Sequence, residues 1–155
     1  MDVLIAVFLF LHVMGAIVAF GPTFVFPIIA AASRREPQHA HFGAVLAEIV
    51  EKRLVLPFAL LQGVTGVAII LLKGISLTDN RWLGAGIVLY LVAILYSILV
   101  QAPAAVRMVE LTATPPGPGG PAPALLATAG RLKRGGMLLT VLLVLIVILM
   151  ATKPF

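Results

Sequence analysis

Four stretches of the chain, Val3 to Ala32, Leu54 to Leu72, Trp82 to Val106 and Gly135 to Thr152, contain no Asp, Glu, Lys or Arg. A run of about 18 or more such residues is long enough to cross a hydrocarbon core of about 30 Å as a helix. The pattern predicts an all-α fold, an integral membrane bundle of four transmembrane helices at 3–32, 54–72, 82–106 and 135–152, within one membrane domain spanning 1–155. No Lys or Arg precedes the first stretch, and its apolar run exceeds the roughly 7 to 15 residues of a secretory signal core, so it is expected to stay in the mature protein. At about 1.5 Å per residue it reaches roughly 45 Å, longer than the core it must cross. Gly21-Pro22 and Pro27 predict a kink in its cytoplasmic half, because each proline removes a backbone donor and crowds the preceding turn.

The polar segments between these stretches have patterns of their own. After Ser33-Arg34-Arg35-Glu36 comes Pro37, a good first helical residue. In the segment that follows, Phe42, Val45, Leu46, Ile49 and Val50 recur at helical spacing, with Glu48, Glu51 and Lys52 on other faces. This predicts an interfacial cytoplasmic helix that runs into the second span, where Pro57 marks a bend. Residues 73–81 read as a short outer loop, and Trp82 sits where an aromatic belt residue belongs. The segment 112–130 is Pro/Gly-rich, with Pro115, Pro116, Pro118, Pro121 and Pro123, and is expected to be an extended, exposed linker.

Composition agrees with the pattern: 61% of the 155 residues are hydrophobic, 11% are charged and the mean hydropathy is +1.15. With no cysteine, disulfides, thiolate metal sites and cysteine nucleophiles are excluded. The net charge of +5 matters less than its placement. Arg34, Arg35, Lys52 and Arg53 precede the second span and Arg107, Arg131, Lys133 and Arg134 precede the fourth, against Lys73, Arg81 and Lys153 on the other side. The positive-inside rule then predicts a multi-pass protein of the bacterial inner membrane with loops 33–53 and 107–134 cytoplasmic and both termini outside. The lipid bilayer is the expected partner of these basic residues, and nucleic acid is not.

Ionisable groups inside such spans normally face the bundle. At about 100° per residue, His12, Gly15, Ala16, Ala19 and Thr23 share one side of the first helix. Ala59, Gln62, Thr65 and Gly66 make a comparable face on the second, and Gly86, Tyr90, Ala93, Ser97 and Gln101 on the third; the fourth, with only Thr140, is expected to face mostly lipid. His12 and Gln62 fall within about a turn of the same depth, so a hydrogen bond between them is expected. Three readings of His12 stand side by side: a neutral imidazole bridging helices, an axial metal ligand to haem b within a site that includes Gln62 and Tyr90, or a proton-relay or quinone contact. His39 and His41 point about 200° apart on a helix and form no chelating pair. The methionines are too scattered for a copper site. Glu48, Glu51, Lys52 and Arg53 are expected to form helical salt pairs.

LHVMGAIVAFGPTFVFP at 11–27, EKRLVLPFALLQGVTG at 51–66 and VILMATKPF at 147–155 resemble segments of the HemJ-type protoporphyrinogen oxidases, of a related group of small bacterial four-helix membrane proteins and, more loosely, of the CopD membrane domain. The resemblance implies a helical membrane bundle that binds haem b, with His12 on the family's first-helix histidine and Arg53, Leu54 and Pro57 on its second-helix pattern. The oxidases carry a lysine just after the tryptophan that opens helix three and an Asn-Glu-x-Pro element at helix four; here Trp82 is followed by LGAGIV, and the fourth helix opens with KRGGMLLT. The expected function is a non-catalytic accessory or cofactor-binding subunit, with a membrane-protein partner or a second copy of itself. The alternatives are a diverged protoporphyrinogen oxidase and a purely structural subunit of a larger membrane complex.

Overall fold

In the computed structural model the regular elements among the described residues, 3–114, 117 and 119–154, are all helices. Four helices are long and apolar enough to cross a membrane: Val3–Arg35, Pro37–Lys73, Arg81–Thr112 and Pro123–Thr152. The first is α1, an α-helix of 33 residues with Pro22 and Pro27 inside it. The second opens on a 3₁₀ turn at Pro37–His39 and runs through α2 (Ala40–Val50), a π-helical turn (Glu51–Val55) and α3 (Leu56–Lys73). The third has the same build: α4 (Arg81–Tyr96), a π-helical turn (Ser97–Gln101) and α5 (Ala102–Thr112). The fourth is α6 (Pro123–Thr152).

The two π-helical turns share a cause in sequence. Each is followed, after one residue, by a proline: Pro57 and Pro103. A proline ring has no N–H to donate and crowds the carbonyl four residues back; a wider turn just before it carries that carbonyl clear of the ring. The N–H of Leu56 accordingly reaches Glu51 O, and that of Ala102 reaches Ser97 O. At the far end of α3, Gly74 takes the left-handed conformation (φ 60) and Ile75 N–H bonds Ile70 O at 3.0 Å, a glycine stop that satisfies the last carbonyls of the helix.

Pro115, Pro116 and Pro118 of the expected linker lie outside the described residues. Helix covers more of 112–130 than the proline density predicts, because α5 extends to Thr112 and α6 begins at Pro123. Pro123 occupies the first helical position, where a missing donor costs nothing. The helix α6 extends beyond the charge-free stretch 135–152 at its start and includes Arg131, Lys133 and Arg134.

The helices pack as α1 on α3, α4 on α6 and α2 on α5, with α5 also against α6. Buried apolar residues are few and often small (Ala19, Ala104, Ala105), whereas large apolar side chains such as Phe10, Val64, Leu71 and Leu99 point outward. This is the distribution expected where the surrounding solvent is lipid and helices associate by close approach of small residues. One device recurs at the contacts: a polar side chain of one helix seats on a glycine of its neighbour. His12 lies over Gly66, Gln62 over Gly15, Tyr90 over Gly63, Gln101 over Gly135 and Ser33 over Gly43. At the opposite end from the basic loops, Lys153 Nζ sits 5.6 Å from the centroid of the Trp82 ring, joining the end of α6 to the start of α4 by a cation–π contact.

Candidate functional site

His12 is half-buried between α1 and α3 and has a partner at each ring nitrogen. The Gln62 amide donates from Nε2 to His12 Nε2 at 2.9 Å, so this nitrogen is the acceptor. His12 Nδ1 lies 3.0 Å from Thr65 Oγ1. The Thr65 hydroxyl proton is committed to the backbone, with Leu61 O at 2.8 Å and Gln62 O at 3.1 Å, so Nδ1 is the nitrogen that donates. The chain of donors therefore runs from the Gln62 amide through a neutral, Nδ1-protonated imidazole to the Thr65 hydroxyl and on to the α3 backbone. Thr65 is 1% exposed, the most secluded polar residue described.

The local sequence allows this closeness from both sides. A Cβ at Gly66 would stand 3.1 Å from His12 Cε1, and one at Gly15 would stand 3.1 Å from Gln62 Oε1. Each helix thus supplies one polar side chain and one glycine to receive its partner. Ala19, one turn beyond Gly15, is 1% exposed and continues the seam. Gln62 Oε1 is a buried acceptor without a partner.

The remaining members of the expected polar face fall elsewhere. The Tyr90 hydroxyl donates to Ala59 O at 2.9 Å, fastening α4 to the α3 backbone rather than joining His12. Ser97 donates to Glu51 Oε1 at 3.4 Å. Gln101 Nε2 donates to Leu132 O at 3.2 Å, while its Oε1 is buried without a partner. Thr140 bonds the backbone of its own helix at Gly136 O. His39 stands 3.7 Å from Glu36, and His41 Nδ1 lies 3.3 Å from Thr112 Oγ1 on the surface. Of the basic and acidic residues expected to pair before the second span, Glu48 and Lys52 do so at 3.8 Å, and Glu51 instead turns inward. The Thr65 bond to His12 was legible only as membership of a shared face; the contact of Glu51 with Ser97 had no sequence signal, because it joins residues of two different helices that each open a π-helical turn.

The donor set at His12 does not fit haem. An axial imidazole ligand binds through a lone pair, and here the Nε2 lone pair takes the Gln62 N–H while Nδ1 carries the proton. The ring also rests against Gly66, where α1 and α3 are already in contact. No group of three or more metal-ligating side chains occurs among the described residues. The arrangement joins α1 to α3 through two side-chain hydrogen bonds, of the directional kind that lipid cannot replace.

The chain belongs to the DUF2269 family, described as a predicted integral membrane protein, whose model matches residues 6–154. It is thus an integral membrane protein with four apolar helices that contact the lipid bilayer. No curated protein and no solved structure matches it.

Proposed function

We propose that this DUF2269 protein is a non-catalytic accessory subunit of the bacterial inner membrane, in which His12 fixes the α1–α3 pair rather than binding a cofactor. One observation carries the reading: both nitrogens of the intramembrane imidazole are spent on α3, at 2.9 Å and 3.0 Å. A catalytic or ligand-binding histidine needs a free nitrogen toward its substrate or metal. The departures from the HemJ-type pattern after Trp82 and at the start of the fourth helix favour the same side. On this reading the chain is a diverged relative of those oxidases that has kept the first-helix histidine as a structural element. The basic loops lie in the cytoplasm and the termini outside; α1 bends near Gly21, and α2 rides at the cytoplasmic headgroup level. The outward apolar side chains of α6, among them Val141, Val144 and Ile148, are free to meet lipid or the helix of a partner.

The rival reading is a haem b protein, with or without oxidase activity, and a visible spectrum separates the two. The full-length protein is produced in cells supplied with a haem precursor, purified in detergent and compared with His12→Ala. The proposal expects no Soret band in stoichiometric amount in either. A stoichiometric Soret band that His12→Ala removes overturns it.

A further inference from the structure

Glu51 is 8% exposed and opens the first π-helical turn. Its Oε1 accepts from Ser97, which opens the second, so the two widened turns meet at this contact. The ion pairs among the described residues join Glu36 to His39, Glu48 to Lys52 and Arg107 to Glu110; none includes Glu51. The charged groups around it are few. Glu48 is tied to Lys52, and Lys52 and Arg53 are exposed. α1, which packs on this turn, has no charged side chain between His12 and Arg34, and α3 has none before Lys73. The second π-helical turn and α5 have none before Arg107, which is held by Glu110 at 2.7 Å. Beside the carboxyl group lies a groove of about 270 Å³ lined by Glu48, Glu51, Lys52, Leu56, Ile98 and Pro103 among others.

A buried carboxylate without a counter-charge is far more costly than a neutral, hydrogen-bonded acid. Two carboxylates, one of them already tied to Lys52, and one hydroxyl are too few oxygen ligands for a hard metal cation. A proton needs no more than these. With Ser97 donating to Oε1, Oε2 is left to carry it. We propose that Glu51 is a proton-binding site, built where its carboxyl group meets Ser97 of the second π-helical turn, that exchanges its proton with the surface through the adjoining groove.

The test uses the full-length protein in phosphatidylcholine vesicles and dicyclohexylcarbodiimide, an apolar reagent that adds to protonated carboxyl groups, with the adduct located by peptide mass mapping over a pH series. Glu51 is expected to be the principal adduct, its labelling rate falling roughly tenfold per pH unit once the proton is lost. Glu51→Gln is expected to remove the adduct, and Ser97→Ala to move the fall to higher pH, since it deletes a donor to the charged form. Labelling that favours Glu48, that spreads evenly over the carboxyl groups, or that does not change with pH overturns the proposal. The wild-type series alone decides it, whether or not either variant folds.

Discussion

The bond between His12 and Gln62 is best examined by removing each partner alone and then both together. His12→Leu deletes two side-chain bonds across α1 and α3, at 2.9 Å and 3.0 Å, each worth about 0.6 kcal/mol on average in a membrane bundle. It also strands the Gln62 N–H, whose Oε1 already lacks a partner; an unsatisfied buried polar group costs about 1 to 3 kcal/mol. The single substitution should therefore destabilise by about 2 to 4 kcal/mol. Gln62→Met keeps the side-chain length, loses one bond and leaves the His12 Nε2 lone pair unpaired, but it also removes the unpaired Gln62 Oε1, for a net loss of about 1 kcal/mol. In the double variant no member of the pair is left stranded, because Thr65 keeps its bond to Leu61 O. Its cost should fall short of the sum of the singles by about 1 to 2 kcal/mol. The assay is reversible unfolding in mixed micelles with increasing dodecyl sulfate, followed by ellipticity. Additivity within about 0.5 kcal/mol would refute the reasoning.

Three further outcomes follow from the same contacts. Gly63→Ala would bring a Cβ to 2.5 Å from the Tyr90 hydroxyl; the same unfolding assay should show a loss of about 1 to 3 kcal/mol, only part of it recovered when Tyr90→Phe is added, because the ring carbon Cζ stays 3.0 Å away. Gly74→Ala should cost about 1 kcal/mol, since that residue holds φ 60 at the end of α3 where a Cβ is disfavoured, with no effect on α1–α3 coupling in the cycle above. Because the chain has no cysteine, single-cysteine variants report topology cleanly: Ser76→Cys should react with an impermeant maleimide in intact cells, and Thr114→Cys only after the membrane is opened.

The four spans were legible because charge-free runs of helical length have little other physical meaning, and the inward face of His12 was legible because small residues at helical spacing surround it. Its hydrogen bond to Gln62 followed from depth alone, both residues sitting at comparable distances from the ends of antiparallel helices. What the linear pattern hid was three-dimensional. The bond of His12 to Thr65 needs the imidazole orientation that Gly66 permits, and Tyr90 leaves the site because Gly63 offers it a nearer seat with the Ala59 carbonyl beside it. Proline content predicted where backbone donors are missing, but not that a π-helical turn ahead of Pro57 and of Pro103 would let each helix continue. Likewise, Pro123 read as part of a linker when it is the first residue of a helix.

The central claim is that the His12 imidazole is a fully bonded, neutral bridge between two helices. It is tested most directly by ¹⁵N resonance spectra of the protein labelled only in its histidines and held in lipid. With three histidines in the chain, His12→Ala assigns the signal. The account predicts a neutral, Nδ1-protonated ring whose Nε2 shift moves on Gln62→Met and whose Nδ1 shift moves on Thr65→Val. An Nε2 signal with the shift of a metal-bound nitrogen, or a ring indifferent to both substitutions, would contradict it.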